Sequence, residues 1–587
     1  MNMPCLVSTH NDIYLFYHFF RQPSMQMQDL MLKSPHLPEQ IFKKLDNESL
    51  FKSREVSESW KNVIDGRNYP WLRIVNIPTI LNKGNTYLHH AVKSGQLKAF
   101  KTALNEEEDI NIRNEWDETS FILACKNGHF QIVQMLLNNI QNAADLNTID
   151  DDCWTAFHLA WLAKSIDLNT IDICSYTAFH WTCIQGHNDI IKLLMENAVV
   201  LGIDLNAKTK NGHTAFLLAC HKRHSDVVKI FIENAADFSI DLNAIDNHGF
   251  TAFHVACFKG HSDIIKILMA TAAISSIDLD AKIKSGKTAF ILACYSGHAD
   301  VVKIFIQNAA ELNINFNIID ICSNTAFHWT CIQGHTDIIK ILMENAVVLG
   351  IDLNAKTNNG NTAFLLACHK GHLDVVKIFI ENTADFSIDL NTIDDDGWTA
   401  LHLACNKGHS DVIKFLIDTA AISSIDLNAK INTGNTAFHM ACQRGCADVV
   451  KIFIQNAADL SIDLNTIDSC GSTCFHLACN YGDLDVVKML MENASTFAID
   501  LNRKDNDGMT AFHLACERGD SDMVKIFMQN AADLNIDLFT IDNSGKSAFN
   551  LACERGHDLI AGNGTEFSVN LTALNKMLSC QSIEPST

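Results

Sequence analysis

Two textures of apolar residues alternate along most of this chain. One is a short burst opened by a threonine, such as Ala215-Phe-Leu-Leu-Ala-Cys220. The other is a longer stripe, such as Val227, Val228, Ile230, Phe231 and Ile232, whose spacing puts its members on one side of a helix. Between them lie polar connectors: Ala207-Lys-Thr-Lys-Asn-Gly-His213 reads as a turn, and His221-Lys-Arg-His224 joins the two helices. Thr214 is placed to cap the first helix, and Ser225 or Asp226 the second. Such a pair of short helices cannot bury its own apolar stripes.

The pair is copied along the chain. Thr-Ala-Phe-His-Leu-Ala-Cys or a near variant opens at Thr177, Thr214, Thr251, Thr288, Thr325, Thr362, Thr399, Thr436, Thr473, Thr510 and Ser547, each 37 residues after the last. Earlier copies open at Thr86, Thr119 and Thr155. A period of this size marks units that complete each other's core, so the expected fold is an all-α repeat solenoid with short β-hairpin-like turns. The copy at Thr155 runs only 22 residues and lacks room for its outer helix, so a kink or local defect is expected around 155–176. Thr325–Asp394 nearly repeats Thr177–Asp246 at a shift of 148 residues, or four units, which points to block duplication.

In the unit opened by Thr251, the residues Gly249, Thr251, Phe253, His254, Ala256, Gly260 and His261 match the ankyrin repeat signature position by position. The chain resembles that family from about residue 83 to 560. It departs in two respects. Alanine stands at the first helical position in place of the family's proline, and no proline occurs between Pro78 and Pro585. The period of 37 also exceeds the family's, which is about 33. The four extra residues fall at Ala384-Asp-Phe-Ser-Ile388, close to one helical turn, and predict a longer outer helix or a bulged loop.

The resemblance implies that the histidines after Thr-Ala-Phe/Leu tie adjacent turns together, and that partners meet the turn tips and the exposed ends of the inner helices. On that implication the large aromatics at variable positions are candidate partner-binding residues. These are Trp154, Tyr176, Phe250 and Trp398 before the threonine, and Phe258, Tyr295 and Tyr481 after the Ala-Cys step. Trp181 and Trp329 lie inside the inner-helix pattern and are assigned to the core.

Twenty cysteines raise the question of metal or disulfide chemistry. Twelve of them, from Cys125 and Cys183 onward to Cys553, occupy one repeat position, where a thiol serves as a small apolar group. No Cys-x-x-Cys pair occurs to hold zinc. The histidines follow the same periodicity, and no serine, cysteine or acid breaks it to complete a catalytic constellation. The expectation is a non-enzyme without catalytic residues, metal or cofactor.

Ahead of the repeats, Leu37-Pro-Glu-Gln-Ile-Phe-Lys-Lys-Leu45 and the following residues to Asp65 carry apolar positions at helical spacing. Leu37, Pro38, Ile41, Leu45, Leu50, Val56 and Trp60 resemble the F-box, with about four residues fewer than that motif between Pro38 and Leu45. The resemblance implies a Skp1-like adaptor as partner and those seven residues as its contacts. The chain then divides into a tail 1–32, the F-box-like segment 33–66, a linker 67–82, about 14 repeats over 83–561, and a cap or tail 562–587. The implied function is a non-catalytic substrate receptor of a ubiquitin ligase, its array holding an unknown target protein. The alternative is a binding scaffold with a degenerate F-box.

Composition narrows the partners. With 45 basic and 68 acidic side chains the formal charge is −23, which repels phosphate backbones and anionic lipid. No run approaches the ~18 apolar residues of a membrane helix, and Ile13–Phe20 follows no basic segment. The expected location is the cytosol, with the nucleus equally open to it.

Overall fold

A computed structural model describes residues 85–104, 110–141, 167–275 and 277–557. The chain forms two compact units, one of residues 1–256 with 263–278 and one of 257–262 with 279–587. Both are built from the helix pair that the sequence predicts. The described residues contain no strand, and Lys430 to Thr436 and Ile541 to Ser547 form isolated antiparallel bridges at turn bases.

In the second unit the inner helices Ala289–Tyr295, Ala326–Gln333, Ala363–Lys370, Ala400–Lys407, Ala437–Gln443, Cys474–Tyr481, Ala511–Arg518 and Ala548–Glu554 pack side by side in chain order. All but the last are backed by an outer helix among the described residues, such as Leu373–Glu381 behind Ala363–Lys370. Valine pairs of the outer helices, such as Val375 and Val376, bury against Ala367 and Cys368 of the inner ones. Phenylalanines bridge from unit to unit: the Phe379 ring lies 5.5 Å from Phe364 and 5.8 Å from Phe327 of the preceding copy. The small Ala-Cys step lets the two helix layers approach closely.

The inner helices with histidine at their third position begin alike. Thr399 sits in the extended region and its Oγ accepts from the His402 N–H, while the Thr399 N–H donates back to His402 Nδ1 at 3.4 Å. This is a capping box with histidine in the place usually held by glutamate. Because Nδ1 accepts, the proton sits on Nε2, which donates to Asn435 O of the next turn at 3.1 Å. His180 and His476 do the same toward His213 O and Met509 O.

Where the outer helices start, the expected caps are corrected. His224, not Ser225 or Asp226, is the residue before the helix, and it makes no side-chain cap. Its ring reaches back instead to Ile184 O at 2.7 Å, the end of the preceding inner helix. His372 and His409 reach Ile332 O and His369 O likewise. Cys446, Asp483 and Asp520 replace this histidine later in the chain, and the two aspartates become side-chain caps of their helices.

The four extra residues of the long period extend the outer helix. Asn188–Leu201 and Ser410–Ser423 continue for 14 residues. Elsewhere an asparagine interrupts and a further turn follows, as in Thr336–Glu344 and then Ala346–Leu349. That added turn supports an asparagine ladder that the sequence analysis did not single out. Asn391 Nδ2 donates to Ser424 O at 2.8 Å and its Oδ1 accepts from Asp426 N at 3.1 Å, and Asn354 and Asn428 repeat this one unit away on either side.

In the first unit residues 155–166 of the short copy opened by Thr155 lie outside the described residues, and so does the kink or local defect expected there. Ser120–Lys126 packs on Ala178–Gln185, and Phe130–Gln141 on Asn188–Leu201. His187 reaches Lys126 O at 3.2 Å, and Arg113 donates to Ile171 O at 2.9 Å.

Burial holds His180, His402 and His439 at a pKa of about 4, below the ordinary 6.5. In the unfolded chain they take up protons below about pH 6.5; in the fold they do not until about pH 4. Their contribution is present above pH 6.5 and is lost as pH falls through that window, by up to about 3 kcal/mol each. Urea midpoints measured between pH 7.5 and 4 should fall steeply below pH 6.5, and replacing His402 with leucine, the type found at Leu217 and Leu365, should flatten the slope. Gly371 closes its helix at φ +76°, and an added Cβ would meet the His409 ring at 2.6 Å. Gly371→Ala should cost about 2 kcal/mol or more in urea unfolding.

Candidate protein-binding surface

The turns between units come in two kinds that alternate every 37 residues. Acidic turns carry Asp172, Asp246, Asp320, Asp394, Asp468 and Asp542; Asp394 Oδ1 accepts from Asp396 N and Trp398 N at 3.0 and 2.8 Å, closing the loop on itself. Lysine turns lie between them, and Lys356 and Lys430 each donate to the backbone of the following acidic turn, at Ile393 O and Ile467 O. Next to the aspartates, Ile319, Ile393 and Ile541 are exposed.

The candidate aromatics divide by position. Those before the threonine lean on their own unit. Phe250 lies 6.1 Å from the His254 ring and Trp398 6.3 Å from His402, all at steep angles, so these two are half-buried. Tyr176 sits between His180 and Trp181. At the ends of the inner helices Phe258 and Tyr481 are exposed, at 37% and 49%. Tyr295 is half-buried, edge-on to Trp329 at 5.2 Å. Trp154, the seven F-box-like positions from Leu37 to Trp60, and residues 562–587 lie outside the described residues.

Trp181 and Trp329 are not core residues; both are half-buried on the outer surface of their inner helices. At this position Leu218, Leu292 and Leu403 are buried, and Leu366, Leu477 and Leu514 are half-buried like the two indoles. Each indole N–H is held by the acidic turn of its own unit: Trp181 Nε1 donates to Asp172 Oδ2 at 3.0 Å, and Trp329 Nε1 to Asp320 Oδ2 at 2.9 Å. A lysine lies over each ring, Lys126 at 3.9 Å from the Trp181 centroid and Lys287 at 3.9 Å from that of Trp329. Burial lowers the Lys287 pKa, although Asp320 acts in the opposite sense. The Asp-to-Trp spacing of nine residues is legible in the sequence. The lysines are not, since they come from different repeat positions.

The cysteines at the repeated position are buried from Cys125 to Cys516, and burial raises their thiols far above the usual range, which leaves them inert; Cys553 is exposed. Among the described residues no group of side chains could hold a metal ion, and no helix is long and apolar enough to cross a membrane.

Stacked helix pairs with alternating charged turns and aromatics at the helix ends define a protein-binding repeat array. A family model of three consecutive ankyrin repeats matches in overlapping windows from residue 88 to residue 562, and the chain belongs to the ankyrin repeat family, whose members bind other proteins and are generally not catalysts. A 53-residue stretch is 40% identical to "Probable E3 ubiquitin-protein ligase XBOS33" of Oryza sativa subsp. japonica, covering 9% of this chain and 10% of that protein. Over 115 residues the chain is 29% identical to "Putative ankyrin repeat protein L56" of Acanthamoeba polyphaga mimivirus, covering 20% of this chain and 15% of the relative.

Asp320 accepts from the Trp329 indole and from the backbone of Cys322 and Asn324 while almost fully buried. Asp320→Ala should therefore destabilise the protein by about 2–4 kcal/mol in urea unfolding, because it leaves several donors unpaired.

Proposed function

We propose that this chain is a non-catalytic substrate receptor of a Skp1/cullin-type ubiquitin ligase, acting in the cytosol or nucleus. The observation that carries it is the segment from Leu37 to Asp65, whose Leu37, Pro38, Ile41, Leu45, Leu50, Val56 and Trp60 stand at F-box positions directly ahead of a protein-binding array. The ligase named among its relatives agrees with this setting. The segment would attach to the adaptor through a row of apolar side chains, the array would hold the target, and ubiquitin transfer would belong to other subunits. With no chemistry of its own, the protein contributes proximity alone.

The missing turn between Pro38 and Leu45 favours a second reading, a scaffold that binds proteins without a ligase. Titration of the full chain with purified Skp1 separates them. The receptor reading expects binding with a Kd on the order of micromolar. Leu45→Ala with Trp60→Ala should weaken it at least about tenfold, since buried apolar anchors dominate such interfaces. An absence of binding leaves the scaffold.

A further inference from the structure

Trp181 and Trp329 are duplicates of one position, yet what surrounds them differs. In the first unit Lys126 lies over Trp181 and its charge is met by Glu118 at 2.5 Å. In the second unit Lys287 stands at the repeat position of Glu118, and Tyr295 at that of Lys126. An ion pair is thus exchanged for a cation wedged between two rings, with Nζ 3.9 Å from the Trp329 centroid and 4.8 Å from that of Tyr295. Lys287 forms no ion pair among the described residues. Asp320 is already engaged by the indole and by two backbone donors.

The neighbouring surface has the same character. Phe258 and Lys259, at the end of Ala252–Lys259, are exposed, and the His298 ring reaches Phe258 O at 3.0 Å; Lys370 and Lys407 are exposed ends of the inner helices one and two copies beyond Trp329. We propose that Lys287, Tyr295 and Trp329 form a docking site for an acidic segment of the target protein, a carboxylate pairing with Lys287 and an adjacent apolar side chain lying against the two rings. The proposal rests on the array being the part that holds the target. The ammonium is already partly desolvated and held by both rings, so little side-chain freedom remains to be lost on binding. A single ammonium between two rings matches one carboxylate beside an apolar side chain, whereas a phosphate backbone is held by a row of cations.

The test is fluorescence anisotropy on the full chain. Three labelled probes are compared at about 0.1 M salt, where exposed charges are screened beyond about 10 Å: an Asp/Glu-rich 12-residue peptide with one Leu and one Phe, its Asn/Gln counterpart, and a single-stranded 12-nucleotide DNA. The acidic peptide should bind at least about tenfold tighter than the other two. Lys287→Glu, which copies Glu118, and Trp329→Leu, which copies Leu403, should each weaken it by about tenfold. Thermal unfolding confirms that both variants fold; Lys287→Gln serves as the second variant. Equal binding of the acidic and amide peptides, affinity unchanged in the variants, no binding of the acidic peptide, or tighter binding of the DNA overturns the proposal. Skp1 titration of the same samples keeps the two readings apart. Loss of Skp1 binding with peptide binding intact removes only the ligase, and the reverse removes only this site.

Discussion

The fold depends on one neutral histidine, held by its own unit and donating to the next. The threonine N–H fixes the acceptor at Nδ1, so the ring has a single proton left, and its direction is set by the helix start. A buried imidazolium would have to give up the acceptor role and face uncompensated burial. Cap, tautomer and stacking are therefore one interaction seen from three sides at His89, His180, His402 and His476, whereas His328, His439 and His513 keep the burial without a partner for Nε2. Units with leucine or isoleucine at that position, such as Leu365 and Ile291, lack this bond; the Leu365 unit is tied to its neighbours instead by Thr362 to Thr392, Lys356 to Ile393 O and His372 to Ile332 O.

The outer layer is held in register by different means. Histidines at the outer-helix starts take the last carbonyls of the preceding copy's inner helix, and the left-handed glycine of that preceding copy leaves room for the ring, Gly334 for His372 and Gly371 for His409. At the other end of the outer helix, asparagines tie backbone to backbone across the extra turn of the long period. Helix ends are thus matched partly within a copy, by the threonine caps and by Asp483 and Asp520, and partly by side chains of the adjoining unit.

Much of this was legible in the sequence. Thr399 as a cap, Phe379 as core and Cys368 as a small buried group follow from type and period, because a repeat shows each position many times over. Other features were not legible. The caps at Ser225 and Asp226 were misplaced, since the histidine before them is drawn to a carbonyl 40 residues back and no local pattern records that bond. Trp329 read as core because the repeat places aliphatic residues there, and the position itself is half-buried in several copies, at Leu366, Leu477 and Leu514. The pairing of Lys126 with one indole and Lys287 with the other joins positions that the repeat keeps apart. The direct packing across the short copy could not be foreseen either, since it depends on which helices meet and not on their order.

Alternation of acidic and lysine turns sets a rule for how such a gene can lengthen. A lysine turn donates to the acidic turn that follows it, so two units, not one, form the smallest piece that can be inserted without setting like against like. Unequal recombination that adds a single copy would place two lysine turns side by side or leave an acidic turn without a lysine turn before it; the turn of Lys504 also carries Asp505, between Asp468 and Asp542. One that adds an even number leaves every seam as before, and the 148-residue duplication in this chain is four units long.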